Sequence, residues 1–387
     1  MYLALEDVDR RTNILNQDLD KISAWANKWK VKFNETKTEL LNIQRDLIPP
    51  QPLFFNNVFL EKVDQHKHLG VILQSTCKWD AHIQSIVKKA NLLINCLRFY
   101  KYRLSRKSLE IMYKSFILPH FDYADVVWDN CTKIMADALE KLHLEALRII
   151  IGGVKGTSHA KLYEESGLCS LEERRKRHKL IVFHKMIHNT GADLVRPCNK
   201  CPQYLVNVLP PLVVDINPYH RRRPLERYVP PHRTELFRNS FIPKTTVLWN
   251  TLPDNVKMTT SLSEFKNYLS SADFKVPCHY YFGERFEQVH HCRLRIGMSD
   301  LNFDLCKRHL KDCSQCECGY PSETAEHYLL HCPLYRDIRL LSIDNLTNDY
   351  KYIEILLKGI PQYSRNVNQT IFITVQDYIR QTGRFRK

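Results

Sequence analysis

Apolar positions along the chain set out its elements. From residue 7 to 29, Leu15, Leu19, Ile22, Trp25, Ala26 and Trp29 recur at i, i+3, i+4 and i+7, the period of one helix face. Residues 31–33 and 38–43 then read as strands around an Asn34-Glu35-Thr36-Lys37 turn. Phe54-Phe55 and residues 58–60 flank Asn56-Asn57 as a hairpin, and residues 69–73 read as a buried strand. From Trp79 the texture becomes helical. Ile83, Ile86, Val87, Ala90, Leu93, Ile94 and Leu97 make one apolar stripe, with Lys88, Lys89 and Arg98 off it. Ser105 caps a helix carrying Leu109, Met112, Tyr113, Phe116 and Ile117. Another runs through Leu139, Leu142, Ala146, Leu147 and Ile150 to Gly152-Gly153. Ser170 and Glu173 form a capping box, after which Leu180, Ile181, Phe183, Met186 and Ile187 continue a helix to Gly191. Trp25, Trp29, Trp79, Trp128 and Trp249 fall on or beside apolar faces and read as core. The fold class is α+β, mostly α: a small β-containing piece, a helical bundle, a connector, and a cysteine-bearing tail.

At 387 residues and 44% hydrophobic, the chain can bury a sizeable core in two or three units. Charge changes the picture. Lys and Arg number 57 against 42 Asp and Glu, a formal net charge of +15, which favours a polyanionic partner. The excess is clustered. Arg174, Arg175, Lys176 and Arg177 sit in the first turns of a helix, where cations oppose the helix dipole, so they call for partners outside that helix. Arg221, Arg222 and Arg223 lie in a stretch from Pro197 to Pro231 that holds eight prolines and reads as an extended connector. No apolar run approaches the roughly 20 residues that span a bilayer, and no membrane or small-molecule partner is expected.

The chemistry concentrates in the tail. Cys316 and Cys318, then His327 and Cys332, read C-x-C-x8-H-x4-C and supply the four ligands of a tetrahedral zinc site. Residues 322–330 read as a short helix carrying His327. Cys313 and His331 are the rival ligands in this register. The segment has few apolar residues of its own, so metal binding is expected to supply its folding energy, about 10–16 kcal/mol for structural zinc peptides. The count of 13 cysteines is odd, and the opening Met1-Tyr2-Leu3-Ala4-Leu5-Glu6-Asp7 turns acidic before any apolar core. Both features point to an intracellular, nuclear or cytoplasmic chain with free thiols. Cys198 and Cys201 lack a nearby second pair and read as incidental.

Several runs together resemble the reverse transcriptases of non-LTR retrotransposons. Residues 18–25 through 34–38 are similar to the palm segment that follows the catalytic motif of those RNA-directed DNA polymerases. His66-Lys67-His68-Leu69-Gly70-Val71-Ile72-Leu73, Trp79 and His82-Ile83 resemble the primer-grip hairpin and the start of the thumb. Tyr113-Lys114-Ser115-Phe116-Ile117-Leu118-Pro119 and Tyr123-Ala124 match later thumb helices. Phe241-Ile242-Pro243-Lys244 and residues 248–253 resemble the connector after the thumb. Residues 323–333 resemble the CCHC knuckle of Jockey- and CR1-like elements, which favours Cys316 and Cys318 over Cys313. The resemblance implies four regions: palm remnant 1–78, thumb 79–190, connector 191–275, and a C-terminal domain 276–387 with its knuckle at 313–335. It also implies that His68, Leu69 and Gly70 place a primer end, that Lys37 lies near a triphosphate, and that the thumb, with Lys88 and Lys89, tracks a template–primer duplex of RNA and DNA. Lys307, Arg308, Lys311, Arg336 and Arg339 would be the knuckle's contacts.

Such polymerases hold two magnesium ions on converging aspartates. This sequence begins where that turn should already have passed. Asp122 and Asp125, in Phe121-Asp122-Tyr123-Ala124-Asp125-Val126, are a near miss in a helical region. The expectation is therefore a nucleic-acid-binding fragment without polymerase activity of its own, magnesium belonging to the parent enzyme only. The palm strands near residues 38–73, cut from their partners, are expected to be locally unstable. There is no phosphate-cradling glycine loop, and His290-His291-Cys292 reads as core, not as a nucleophile and base. The alternative is a zinc-stabilised helical scaffold for protein partners whose charge is incidental.

Overall fold

The computed structural model describes residues 8–43, 52–188, 208–216, 225–271 and 273–386. The connector arginines Arg221, Arg222 and Arg223, and the pair Cys198 and Cys201, lie outside them. The chain divides into two compact units, residues 1–86 and 87–387.

The first unit sets one helix against small sheets. Helix α1 (Val8–Trp29) follows the apolar period, placing Leu15, Leu19 and Ile22 against Leu40, Leu53, Phe55 and Leu60. Strand β1 (Glu39–Leu41) pairs in parallel with β4 (Glu61–Val63). Between them β2 (Phe54–Phe55) and β3 (Val58–Phe59) form the expected hairpin. Its turn residues, Asn56 at φ 49° and Asn57 at φ 62°, take the left-handed conformation that a two-residue hairpin of this hand requires. Strands β5 (Gln65–His68) and β6 (Val71–Gln74) make a second hairpin.

Three expectations change here. The strand read over 69–73 starts at Val71, because Leu69 at φ 45° and Gly70 at φ 88° form the turn. Residues 31–33 are not a strand: the Val31 N–H closes the helix end on the Ala26 carbonyl, and the Phe33 ring meets Phe55 edge-on at 5.8 Å. Trp25 and Trp29 are not core, being 52% and 61% exposed. The face turned to the sheet is Leu15, Leu19, Ile22 and Ala26, and so small a sheet covers no more of the helix.

The second unit is helical. Helix α2 (Asp80–Tyr100), inside which the unit boundary falls, buries Ala90, Ile94 and Leu97 on its apolar stripe. The Ser105 hydroxyl caps α3 (Arg106–Met112), accepting the Ser108 N–H at 3.2 Å. A π-helical turn leads to α4 (Leu118–Asp122), and α5 (Asp125–Trp128) follows with the indole of Trp128 fully buried. Helix α6 (Lys133–Ile151) ends on Gly152 at φ 76°, where a Cβ would stand 2.5 Å from Val289. Helix α7 (His159–Ser166) and α8 (Leu171–His188) complete this part, and the Ser170 hydroxyl caps α8 through the Glu173 N–H. Leu180, Phe183 and Met186 of α8 pack on Trp249, Val256 and Phe265. A separate core gathers Tyr280, Leu294, Leu301, Tyr328, Leu329, Phe372, Tyr378 and Phe385.

A buried ion triad ties the helices of this unit together. Arg106 of α3 donates to a Glu165 oxygen of α7 at 2.6 Å, and Arg295 of the Arg285–Arg295 helix reaches the same carboxylate at 2.7 and 3.0 Å. All three side chains are at most 5% exposed. The guanidinium of Arg295 also lies 3.7 Å over the ring of Tyr280.

Candidate functional site

The tail ligands converge. One ligand atom from each of Cys316, Cys318, His327 and Cys332 lies within 4.8 Å of the others. Local backbone explains how. Gly319, at φ 89°, lets the chain reverse, so that the Gly319 N–H donates to the Cys316 carbonyl and the Cys316 N–H to the Tyr320 carbonyl, both at 2.9 Å. On the other side, residues His327–His331 form one π-helical turn in which the Cys332 N–H donates to the His327 carbonyl at 2.7 Å. A π turn repeats after about five residues, which is why a His-x4-Cys spacing returns to the same spot. Cys313 and His331 are both exposed and stand outside the group.

The geometry suits a tetrahedral ion. The sulfurs of Cys316 and Cys332 are 3.8 Å apart, and Cys318 Sγ is 3.3 Å from His327 Nε2. Two thiolates each about 2.3 Å from a tetrahedral zinc stand about 3.8 Å from one another. Burial pushes the Cys316 thiol up to about 12 and raises that of Cys332. Cys318 feels the same desolvation, yet its backbone and thiol hydrogen bonds hold it below the usual range. The His327 ring stacks on Tyr320 at 4.3 Å and 5°, and its Nδ1 has no hydrogen-bond partner among the described residues.

The segment is anchored to more than its ligands, contrary to the reading that its few apolar residues leave it to a metal alone. Tyr328 and Leu329, next to His327, are fully buried in the C-terminal core. Glu323 accepts both nitrogens of a fork from Arg384 at 2.7 Å and the Asn302 N–H at 2.7 Å. Arg339 donates to the Cys332 carbonyl at 2.9 Å.

The arginine block does find partners outside its helix, and they are carboxylates of the same chain. Arg174 grips Asp122 with two bonds of 2.5 and 3.0 Å, and Arg177 grips Asp273 with two of 2.6 and 2.7 Å. Arg175, 5% exposed, donates to Asp129 at 2.7 Å. Asp129 also takes the ammoniums of Lys179 and Lys244. Arg174, Arg175 and Arg177 thus hold α4, α5 and the segment near Asp273 against α8. Lys176 is the partly exposed member, 2.8 Å from Glu172. Lys37, Lys88 and Lys89 are exposed. His68, Leu69 and Gly70 form the exposed tip of the β5–β6 hairpin, Leu69 being 78% exposed. Beside the cysteine and histidine cluster, Arg308 is turned inward onto the Ser299 and Asp304 carbonyls, while Lys307 and Arg336 are exposed.

A second group, Asp122, Asp125 and His178, also lies within 4.8 Å. It forms where Ala124 takes a left-handed φ of 52° between α4 and α5. Its members are occupied with each other and with Arg174: His178 Nδ1 is 2.5 Å from Asp125, and burial raises the Asp125 carboxyl. Sequence reasoning found these aspartates but missed their partners, which lie 52 and 53 positions away.

Comparison with known proteins identifies relatives. Over 172 residues, 42% of this chain, it is 24% identical to "Probable RNA-directed DNA polymerase from transposon BS" of Drosophila melanogaster. Over 163 residues, 41% of the chain, it is 20% identical to the corresponding polymerase from transposon X-element of the same organism. A third, the RNA-directed DNA polymerase from mobile element jockey of Drosophila funebris, is 26% identical over 144 residues, 36% of the chain. The chain resembles part of a retrotransposon polymerase. The matches span 19%, 18% and 16% of those relatives' own lengths. No family model matches. No described helix is long and apolar enough to cross a membrane.

Proposed function

We propose that this chain is a nucleic-acid-binding part of a non-LTR retrotransposon RNA-directed DNA polymerase. The observation that carries the reading is its similarity to three such polymerases, supported by the +15 charge. In it, the β5–β6 hairpin tip with His68, Leu69 and Gly70 contacts a primer end, and the helices after residue 79 hold the template–primer duplex through exposed cations such as Lys88 and Lys89. Cys316, Cys318, His327 and Cys332 hold a structural zinc ion. Four protein ligands leave no open position, so the metal orders the loop and performs no chemistry on a substrate. The chain grips its polymer without extending it, because its sequence supplies no paired aspartates for two magnesium ions.

Binding to a template–primer, measured against salt, tests this. Log K should fall by about 0.7–0.9 per neutralised phosphate for each decade of salt. Salt-independent binding, or none, would remove the nucleic-acid reading in favour of a protein-interaction scaffold. Magnesium-dependent primer extension by the purified chain would remove the claim of inactivity.

A further inference from the structure

From Ala81 to Leu109 the chain carries seven Lys and Arg and no Asp or Glu. Near the end of that run stand Phe99, Tyr100, Lys101, Tyr102 and Arg103, where α2 gives way to the turn before α3. The sequence patterning did not single them out, because they fall off the apolar stripe. In the structure they are displayed. Phe99 is 61% and Tyr102 72% exposed, although rings of this size ordinarily seek burial. Each is backed by a cation: Arg103 lies 4.8 Å over Phe99, and Lys101 lies 4.5 Å over Tyr102.

The display is held firmly. Arg285, buried, donates from Nε to the Lys101 carbonyl at 2.8 Å and from its two terminal nitrogens to the Ile150 and Ile149 carbonyls at the end of α6. The Arg103 and Leu104 N–H groups close the turn on the Tyr100 carbonyl at 2.9 and 3.0 Å. A turn whose backbone is pinned from beneath, yet whose rings face solvent, is preorganised to meet a flat ligand.

We propose that this turn is a stacking site for unpaired bases of single-stranded nucleic acid, with Phe99 and Tyr102 as the platforms. Every base offers an aromatic face, and an aromatic ring with an adjacent cation takes both the base and its phosphate. Lys101 and Arg103 neutralise the backbone, while Arg98 one turn before them is shared with Glu145 at 3.4 Å. Lys88, Leu92, Asn95 and Phe99 share one face of α2 at i, i+4, i+7 and i+11. Lys88 therefore stands about 16 Å up the helix from the aromatic tip, where it takes phosphates of the adjoining strand. The site reads no sequence, since stacking and charge do not distinguish one base edge from another. It rests on the nucleic-acid reading above and adds a preference for unpaired over paired strand.

The experiment uses the full chain with a short oligouridine carrying one 2-aminopurine, and a matched RNA duplex, at several salt concentrations. The probe's fluorescence should be quenched on binding, as a stacked base is. Replacing Phe99 and Tyr102 together by Ala should abolish the quench and weaken single-strand binding about tenfold or more, duplex binding staying within about twofold. Both positions are exposed, so folding is not at stake, and the Phe99→Trp, Tyr102→Phe variant should restore quench and affinity. Unchanged single-strand binding and quench in the Ala variant would overturn the site while leaving the polymerase reading intact. A chain that binds neither nucleic acid would overturn both.

Discussion

At the residue scale, the convergence of Cys316, Cys318, His327 and Cys332 was legible because it is local: four soft or borderline donors within 17 positions need only one turn and one helical turn to meet. Cys318→Ser is expected to abolish stoichiometric zinc, measured by metal analysis of the purified chain. Cys313→Ser should leave it at one ion per chain, and the reverse result would reassign the ligands. Glu165 was not legible. Its partners Arg106 and Arg295 stand 59 and 130 positions away, and nothing in the Glu164-Glu165 pair announces two guanidiniums. Its carboxyl is held down to about 2, against strong desolvation, by Arg295 and Arg106. Glu165→Gln leaves two cations buried without a counter-charge and should cost about 3–5 kcal/mol, read from urea denaturation. A loss under about 1 kcal/mol would mean that the triad contributes little.

At the element scale, period and capping served well where an element had a partner to pack against. Helices α1, α2, α3, α6 and α8 stand where their stripes and caps place them, because each buries that stripe. Pattern failed where partners decide the outcome. Trp25 and Trp29 follow the helical period yet face solvent, and the basic start of α8 called for partners outside its helix without revealing that they are Asp122, Asp129 and Asp273 of the same chain. Substitution can separate the two roles along α8. Arg175→Ala should lower stability by several kcal/mol, since Asp129 loses one of its three cations and a buried packing partner goes with it. Lys176→Ala should change stability by less than about 0.5 kcal/mol, as an exposed i,i+4 pair allows. Equal effects at both positions would contradict the assignment.

At the scale of the whole molecule, charge and class were readable, while where a chain divides depends on contacts far apart in sequence. Acid stability should show the buried histidines. Burial lowers His143 and His290 to about 4 and His291 to about 3, well below the ordinary 6.5. The unfolded chain therefore takes up protons first, and the folded state loses stability as pH falls from 6.5 toward those values. At pH 5 the loss is about 2 kcal/mol for each such histidine. Glu165 adds its own loss only lower, between about 4.5 and 2. Thermal melts at pH 7, 6 and 5 should thus decline steadily, and a flat profile over that interval would refute it.

The fork from Arg384 to Glu323 reaches beyond local packing. It comes from the last residues of the chain, just after the Arg365–Thr382 helix, and beside it Phe385 stacks on His290 and meets Tyr328. Arg384 and Phe385 thus work as a latch on the loop that carries the thiols. Trimming residues 383–387 removes no ligand, but it should speed zinc release to a chelator.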